Sequence, residues 1–172
     1  MKKLMMAAIG LMMAVSANAQ YLNDPETPFY QGKFYLNAAL SSTTLAYSKS
    51  TDFQLGISAK VGYFLIDNLM AVGDAGFVST NNGDQRVLEL GAGARYYFDT
   101  VGIYVGALAK YAHQKAYDFS IDDFRPEVNA GYAFFLNRNI TLEPEVYYEH
   151  SFKDSDYSSF GLRLGLSIYF EM

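Results

Sequence analysis

The sequence predicts an all-β chain, an eight-stranded antiparallel up-and-down transmembrane β-barrel. Three observations predict it. The 172-residue chain falls into segments of about a dozen residues whose apolar and polar positions alternate with a period of two, as in strands with two different faces. The links between segments alternate short and long. Glycine and charge share one face of the segments, and large apolar residues take the other.

In chain order, residues 1–19, MKKLMMAAIGLMMAVSANA, come first. A basic start (Lys2, Lys3), an apolar run from Leu4 to Val15 and the small-residue ending Ala17-Asn18-Ala19 make this a signal peptide cleaved before Gln20. The run is short of the roughly 20 residues a helix needs to cross a bilayer. Removing Lys2 and Lys3 with it takes the net charge from −5 to −7, eleven basic against eighteen acidic residues, which argues against nucleic acid as a partner. The chain has no cysteine, so an exported protein must be stable without disulfides. Residues 20–32 hold two of the four prolines and no periodicity, and read as a periplasmic lead-in of low structure. The barrel domain is expected over 33–172.

Eight alternating segments follow, near 33–46, 53–66, 69–80, 86–98, 101–113, 124–136, 139–151 and 158–170. Asp67-Asn68, Asp99-Thr100 and Asn137-Arg138 are two-residue links of turn-forming residues, while 47–52, 81–85, 114–123 and 152–157 are longer and rich in Asp, Asn, Ser and Lys. Outer-membrane barrels have this asymmetry, with short periplasmic turns, longer outer loops and an even strand number. The second segment, FQLGISAKVGYFL, sets Phe53, Leu55, Ile57, Ala59, Val61, Tyr63 and Leu65 against Gln54, Gly56, Ser58, Lys60, Gly62 and Phe64. The fourth sets Leu88, Leu90, Ala92, Ala94, Tyr96 and Phe98 against Glu89, Gly91, Gly93, Arg95 and Tyr97, and the last repeats the division around Arg163. Ten of the eleven glycines in the segments fall on the polar face, Gly73 being the exception. A narrow barrel with lipid outside and a crowded polar inside needs this arrangement. A soluble lipocalin-like barrel is the alternative fold.

Aromatic residues gather beside the short turns (Tyr63, Phe64, Tyr96, Tyr97, Phe98, Phe134, Phe135, Tyr169, Phe170) and beside the longer loops (Tyr47, Phe53, Phe77, Tyr111, Tyr147, Tyr148, Phe160). Two girdles at the hydrocarbon boundaries are the expected reading. The eight-strand pattern, the signal, Gly-Tyr-Phe at 62–64 and Arg-Tyr-Tyr-Phe at 95–98 together resemble the small outer-membrane β-barrels of the OmpX and OmpA transmembrane type, porin-family barrel domains. The resemblance covers nearly the whole mature chain and implies localisation in the cell outer membrane. It also implies contact with outer-membrane lipid and with the barrel-assembly machinery. Such barrels usually finish on an aromatic residue, whereas here Tyr169-Phe170 is followed by Glu171-Met172.

The polar face carries Lys60, Arg95, Lys110, Arg125 and Arg163, with Asp74, Glu89, Glu127, Glu143, Glu145 and Glu149. Five cations against six anions in a narrow lumen predict a network of pairs that plugs it. Glu143 and Glu145 are expected to pair with Arg125 or Arg163. A conducting pore for ions or small solutes is the alternative, and the near balance of charge counts against it. Pro126 and Pro144 fall inside segments although a closed barrel leaves no free edge for a residue without an amide donor. A bulge at Pro144 is one reading.

Chemistry-bearing motifs are few. His113 and His150 are the neutral-pH bases. His150-Ser151 beside Glu149 looks superficially like a hydrolase set, but adjacent strand residues point to opposite faces. The lipid A deacylases on such barrels carry His-x-Ser, which His150-Ser151-Phe152 does not match. No zinc pattern or phosphate loop is present, so no cofactor is expected. Asp118, Asp122, Asp123, Asp154 and Asp156 read as solvated loop charges rather than a cation site. The expected role is non-enzymatic, structural or surface-interacting, with an extracellular partner at the outer loops; a lipid-modifying enzyme is the third reading.

Overall fold

The computed structural model describes residues 28–44, 53–80, 85–98, 102–116, 119–152 and 158–171. The expected signal and residues 20–27 of the lead-in lie outside them. The strands are β1 (Phe34–Thr44), β2 (Phe53–Ile66), β3 (Leu69–Thr80), β4 (Gln85–Tyr97), β5 (Ile103–Ala116), β6 (Phe119–Tyr132), β7 (Phe134–Phe135), β8 (Ile140–Glu149) and β9 (Ser159–Phe170). All pairings are antiparallel, and β1 pairs with both β2 and β9, so the sheet closes on itself. Because β6 and β7 both pair with β8, they are two pieces of one stave. The barrel therefore has eight staves.

Its faces are inverted relative to a water-soluble protein. Leu40, Ile57, Leu90 and Leu164 are 70%, 59%, 56% and 51% exposed, while Lys60, Arg95 and Lys110 are each 2% exposed. Period-two alternation puts every second residue into the lumen, and the lumen is too narrow for bulk on all of them. Glycine resolves the crowding. At Gly131 and Gly161 an added methyl would collide with the rings of Tyr104 and Tyr147, and those rings lie 4.0 Å over Arg95 and 4.1 Å over Arg163.

Several sequence expectations are corrected here. The 114–123 loop is largely strand, for β5 runs to Ala116 and β6 starts at Phe119, paired Ala116 to Phe119. Phe119 and Ile121 alternate with Ser120 and Asp122, a period masked by the charges nearby. The β4–β5 link is longer than Asp99-Thr100, since β4 stops at Tyr97 and β5 begins at Ile103. Phe98 N–H donates to Ile103 O there, at 2.8 Å. Asp99 and Thr100 themselves lie outside the described residues. At the β2–β3 turn Asn68 takes φ 65°, a left-handed conformation that asparagine tolerates. A register shift between Phe64 and Ile66 marks a bulge, which leaves both Leu65 and Ile66 facing out.

Pro144 sits at a gap in the ladder, not at an inserted residue. Tyr169 N–H donates to Asn139 O and Leu136 N–H to Ile140 O, so odd residues of β8 face β9 and even ones face the β6–β7 stave. Pro144 thus points its missing donor at Tyr132. Pairing lapses there, between Gly131↔Glu145 and Phe134↔Leu142, and resumes in unchanged register. Pro126 lies where the same ladder ends at the other rim, its carbonyl accepting from His150 N–H at 3.0 Å.

The end of the lead-in is ordered. Gly32 N–H donates to Phe64 O, Phe64 N–H to Lys33 O and Asn68 N–H to Phe29 O. Gln31 takes the free carbonyl of the bulge at Leu65 through Nε2 at 3.0 Å, and its N–H donates to Asp67. This strap delivers Phe29, 2% exposed, into the short-turn end of the lumen.

Candidate functional site

The lumen holds the side chains that the strands aim inward, arranged in three layers. At the short-turn end, Phe29 stacks on Tyr97 with centroids 4.2 Å apart and meets Phe64, Phe135 and Tyr169 within 6.2 Å. These rings form a plug. Phe64, Tyr97, Phe135 and Tyr169 therefore leave the expected short-turn girdle, because neighbours such as Tyr96 and Tyr97 cannot share a face. Tyr63, Tyr96 and Phe98 are exposed on the outer face, Phe134 and Phe170 partly so, and Tyr111, Tyr148 and Phe160 are exposed at the other end. Tyr147, also expected in a girdle, is buried in the lumen. The side chain of Phe53 and all of Tyr47 lie outside the described residues.

The middle layer is built on two carboxylates of β8. Glu143 accepts from Tyr35 and Tyr169 hydroxyls, each at 2.7 Å, from Thr141 at 2.9 Å and from Arg95 at 3.0 Å. Glu145 receives Lys60 at 2.8 Å, Arg95 at 2.7 Å and Tyr104 at 3.2 Å, and pairs closely with Arg163. Glu145 thus meets its expected partner Arg163, whereas Glu143 crosses the lumen to Arg95 on β4. Two acids one period apart share a face and a guanidinium, and the tyrosine hydroxyls supply the remaining donors. Charges buried this deeply are stable only when paired and hydrogen-bonded.

The third layer, toward the long loops, centres on Lys110. Its ammonium lies 2.5 Å from Glu127, 2.9 Å from Glu149, 3.2 Å from Asp74 and 3.7 Å from Glu89. Arg163 binds Glu127 at 3.0 Å. Arg125 donates to Asp123 at 2.7 Å and stands 3.7 Å from Glu89. All eleven charged residues singled out in the sequence line the lumen. Asp123 joins them, 6% exposed and accepting from Ser151 at 2.8 Å, so it is not a solvated loop charge. Its signal was its spacing of two from Arg125 and four from Glu127. The strand was expected to start at 124, one residue too late to include it. Asp122 is exposed, 2.6 Å from His113, and Asp118, Asp154 and Asp156 lie outside the described residues.

His150 and Ser151 do turn apart. Ser151 is buried against Asp123, while exposed His150 lies 3.3 Å from Ser158. Among the described residues no three acidic, histidine or cysteine side chains are arranged to hold a metal ion. At the short-turn rim Lys33 pairs with Glu171 at 3.0 Å across the β1–β9 seam and lies over the Tyr30 ring. Partial burial alone would lower the Lys33 pKa, but its bonds to Glu171 and Tyr30 raise it above the usual lysine value.

Comparison with known proteins gives the fold a context. No protein-family model matches the chain, and no curated protein matches it. Among solved structures, the neisserial surface protein NspA is similar at a TM-score of 0.65 and 20% identity, over 81% of this chain and 100% of that one. The N-terminal β-barrel domain of Pseudomonas aeruginosa OprF is similar at 0.56 and 18%, over 81% and 98%. Yersinia pestis outer membrane protein Ail is similar at 0.57 and 14%, over 81% and 100%. The chain shares the eight-stranded barrel fold of these small outer-membrane proteins.

Proposed function

We propose that this protein is a structural and surface-interaction barrel of a bacterial outer membrane, with a lumen closed to solutes and a recognition surface on its long loops. The observation that carries the reading is the filling of the lumen. The Phe29 plug, the Glu143–Glu145 layer and the Lys110 layer follow one another along the axis. The cavity among them offers about 30 Å³ to water-sized particles, room for about two waters.

The outer surface supports placement in lipid. The 12 residues of β9, rising about 3.3 Å each and tilted near 45°, span roughly 28 Å, against a hydrocarbon core of about 30 Å. Leu162, Leu164, Leu166 and Ile168 face outward along it. Outer-membrane lipid is then the permanent partner, and the barrel-assembly machinery a transient one after export on a cleaved signal. The acidic mature chain makes nucleic acid a poor partner. No enzymatic role is assigned, since His150 and Ser151 stand on opposite faces. Two of the similar structures are described as a surface protein and as an attachment invasion locus protein, which accords with a role at the loops.

Single-channel recording on the full chain, refolded into a planar bilayer with insertion verified, tests the proposal. Silence is the expected result. Discrete conductance steps would overturn it in favour of a small porin-like channel.

A further inference from the structure

Three unpaired polar atoms share one cavity. Among the described residues four buried side-chain atoms have no hydrogen-bond partner: Asp74 Oδ1, Ser58 Oγ, Arg163 Nε and Asn129 Oδ1. The first three belong to residues that line the cavity of about 30 Å³ in the lumen, and Asn129 does not line it. Asp74 and Arg163 are each 6% exposed. Groups held unpaired away from water are costly, and their gathering at one cavity points to a shared partner.

The surrounding charges define that partner's chemistry. Toward the loops Lys110, Arg125 and Arg163 stand among five carboxylates, Asp74, Glu89, Asp123, Glu127 and Glu149. All three cations line the cavity, with Asp74, Glu89 and Glu149. A wall of both signs repels a cation and an anion alike, so the occupant is neutral. It must also donate to Asp74 and accept from Arg163, because a carboxylate only accepts and a guanidinium only donates. Neither side chain can turn away freely. Asp74 Oδ2 is 3.2 Å from Lys110 Nζ, and both terminal nitrogens of Arg163 are bound to Glu127.

We propose that this cavity is a water site, in which one ordered water donates to Asp74 Oδ1, accepts from Arg163 Nε–H and bonds Ser58 Oγ. Three hydrogen bonds are the usual complement of a buried water, and a cavity of about 30 Å³ has room for a second beside it. The water closes a ring. Arg163 donates to Glu127 at 3.0 Å, Glu127 lies 2.5 Å from Lys110 and Lys110 lies 3.2 Å from Asp74. The pairs thus run from β9 through β6 and β5 to β3, and the link left to make is from Asp74 Oδ1 back to Arg163 Nε. A bridging water makes it at little cost compared with a direct bond, and bonds to charged groups are the strong ones. The site presupposes the filled lumen proposed above.

The test is a pair of NOESY and ROESY spectra of the isotope-labelled full chain, refolded in deuterated micelles and read at the water resonance. Arg163 Nε–H should show a cross-peak to water with the sign of the diagonal in NOESY and the opposite sign in ROESY, the pattern of contact with a held water rather than of proton exchange. Arg95 Nε–H, in the middle layer, should show none. Ser58→Ala removes the hydroxyl that could relay exchange and should keep the Arg163 signal, whereas Ser58→Val puts methyl groups into the cavity and should reduce it several-fold. A folded wild type without the Arg163 cross-peak would overturn the water site and leave the plugged lumen standing. Equal cross-peaks at Arg163 and Arg95 would mean that water pervades the lumen, and both readings would fall. Loss of the signal in Ser58→Ala would assign it to the hydroxyl, and full intensity in Ser58→Val would place the water elsewhere; either overturns the proposal. The wild-type spectrum decides even where a variant fails to fold.

Discussion

Replacing Arg163 by alanine separates a plugged lumen from a wet one. Its guanidinium donates to both oxygens of Glu127, at 3.2 and 3.0 Å, pairs with Glu145 and lies 4.1 Å from the Tyr147 ring centroid. Truncation leaves Glu127 with Lys110 and Asn129 alone and removes one of the cations around Glu145. In a solvated channel an exposed pair contributes about 0–1 kcal/mol. In a packed lumen, leaving a buried charge without its partner costs about 3–5 kcal/mol. A loss at the lower end of that range, about 3 kcal/mol, is expected, since Glu127 and Arg163 are 1% and 6% exposed while Lys110 still pairs with Glu127. The assay is equilibrium urea unfolding in lipid vesicles, read by circular dichroism because the chain has no tryptophan. A double-mutant cycle with Glu127→Gln isolates the pair, and the double variant should recover part of the single loss. A loss below about 1 kcal/mol for Arg163→Ala would show that water fills the lumen, and the plugged reading would fall with it.

Two further outcomes follow from the short-turn end and the seam. Phe29→Ala should cost about 3 kcal/mol in the same urea assay, as for other buried aromatic truncations; a cost near zero would mean the strap does not hold the plug. Pro144→Ala supplies a donor aimed at Tyr132, so hydrogen exchange at position 144 should be as slow as at its β8 neighbours, and fast exchange would show that something other than the proline opens the ladder there.

The wall of the barrel was legible in the sequence because an exposed apolar outer face and a crowded polar lumen impose opposite demands on alternate residues. Lys60 between Ala59 and Val61, or Arg163 between Leu162 and Leu164, has one sensible orientation once the period is seen. The strap was not legible. Pro28 to Lys33 has no period, and Phe29 is recognisable as a plug only after Phe64, Tyr97 and Tyr169 are known to meet at one end of the lumen. Partner choice was half legible. Glu145 and Arg163 are cross-strand neighbours in the β8–β9 register, which strand order implies. Glu143 instead reaches Arg95 across the lumen, and that depends on the curvature of the closed sheet. Asp123 was missed because acidic residues around it mimic a loop.

The two halves of the lumen obey different electrostatics, and their order along the axis bears on function. Charge imbalance costs least where solvent or ions can reach it, and most where aromatic rings exclude water. The layer nearest the Phe29 plug is balanced, Glu143 and Glu145 against Lys60 and Arg95, with tyrosine hydroxyls completing it. The excess negative charge sits on the loop side, around Lys110 and beside the cavity. A pore selective for cations would carry its excess charge along a continuous path. Here the path stops at Arg95, whose guanidinium is bound to Glu143 and Glu145 and covered by the Tyr104 ring. Charge balance and ring cover thus coincide at the Glu143–Glu145 layer, and the residual negative charge lies beside a cavity of about 30 Å³.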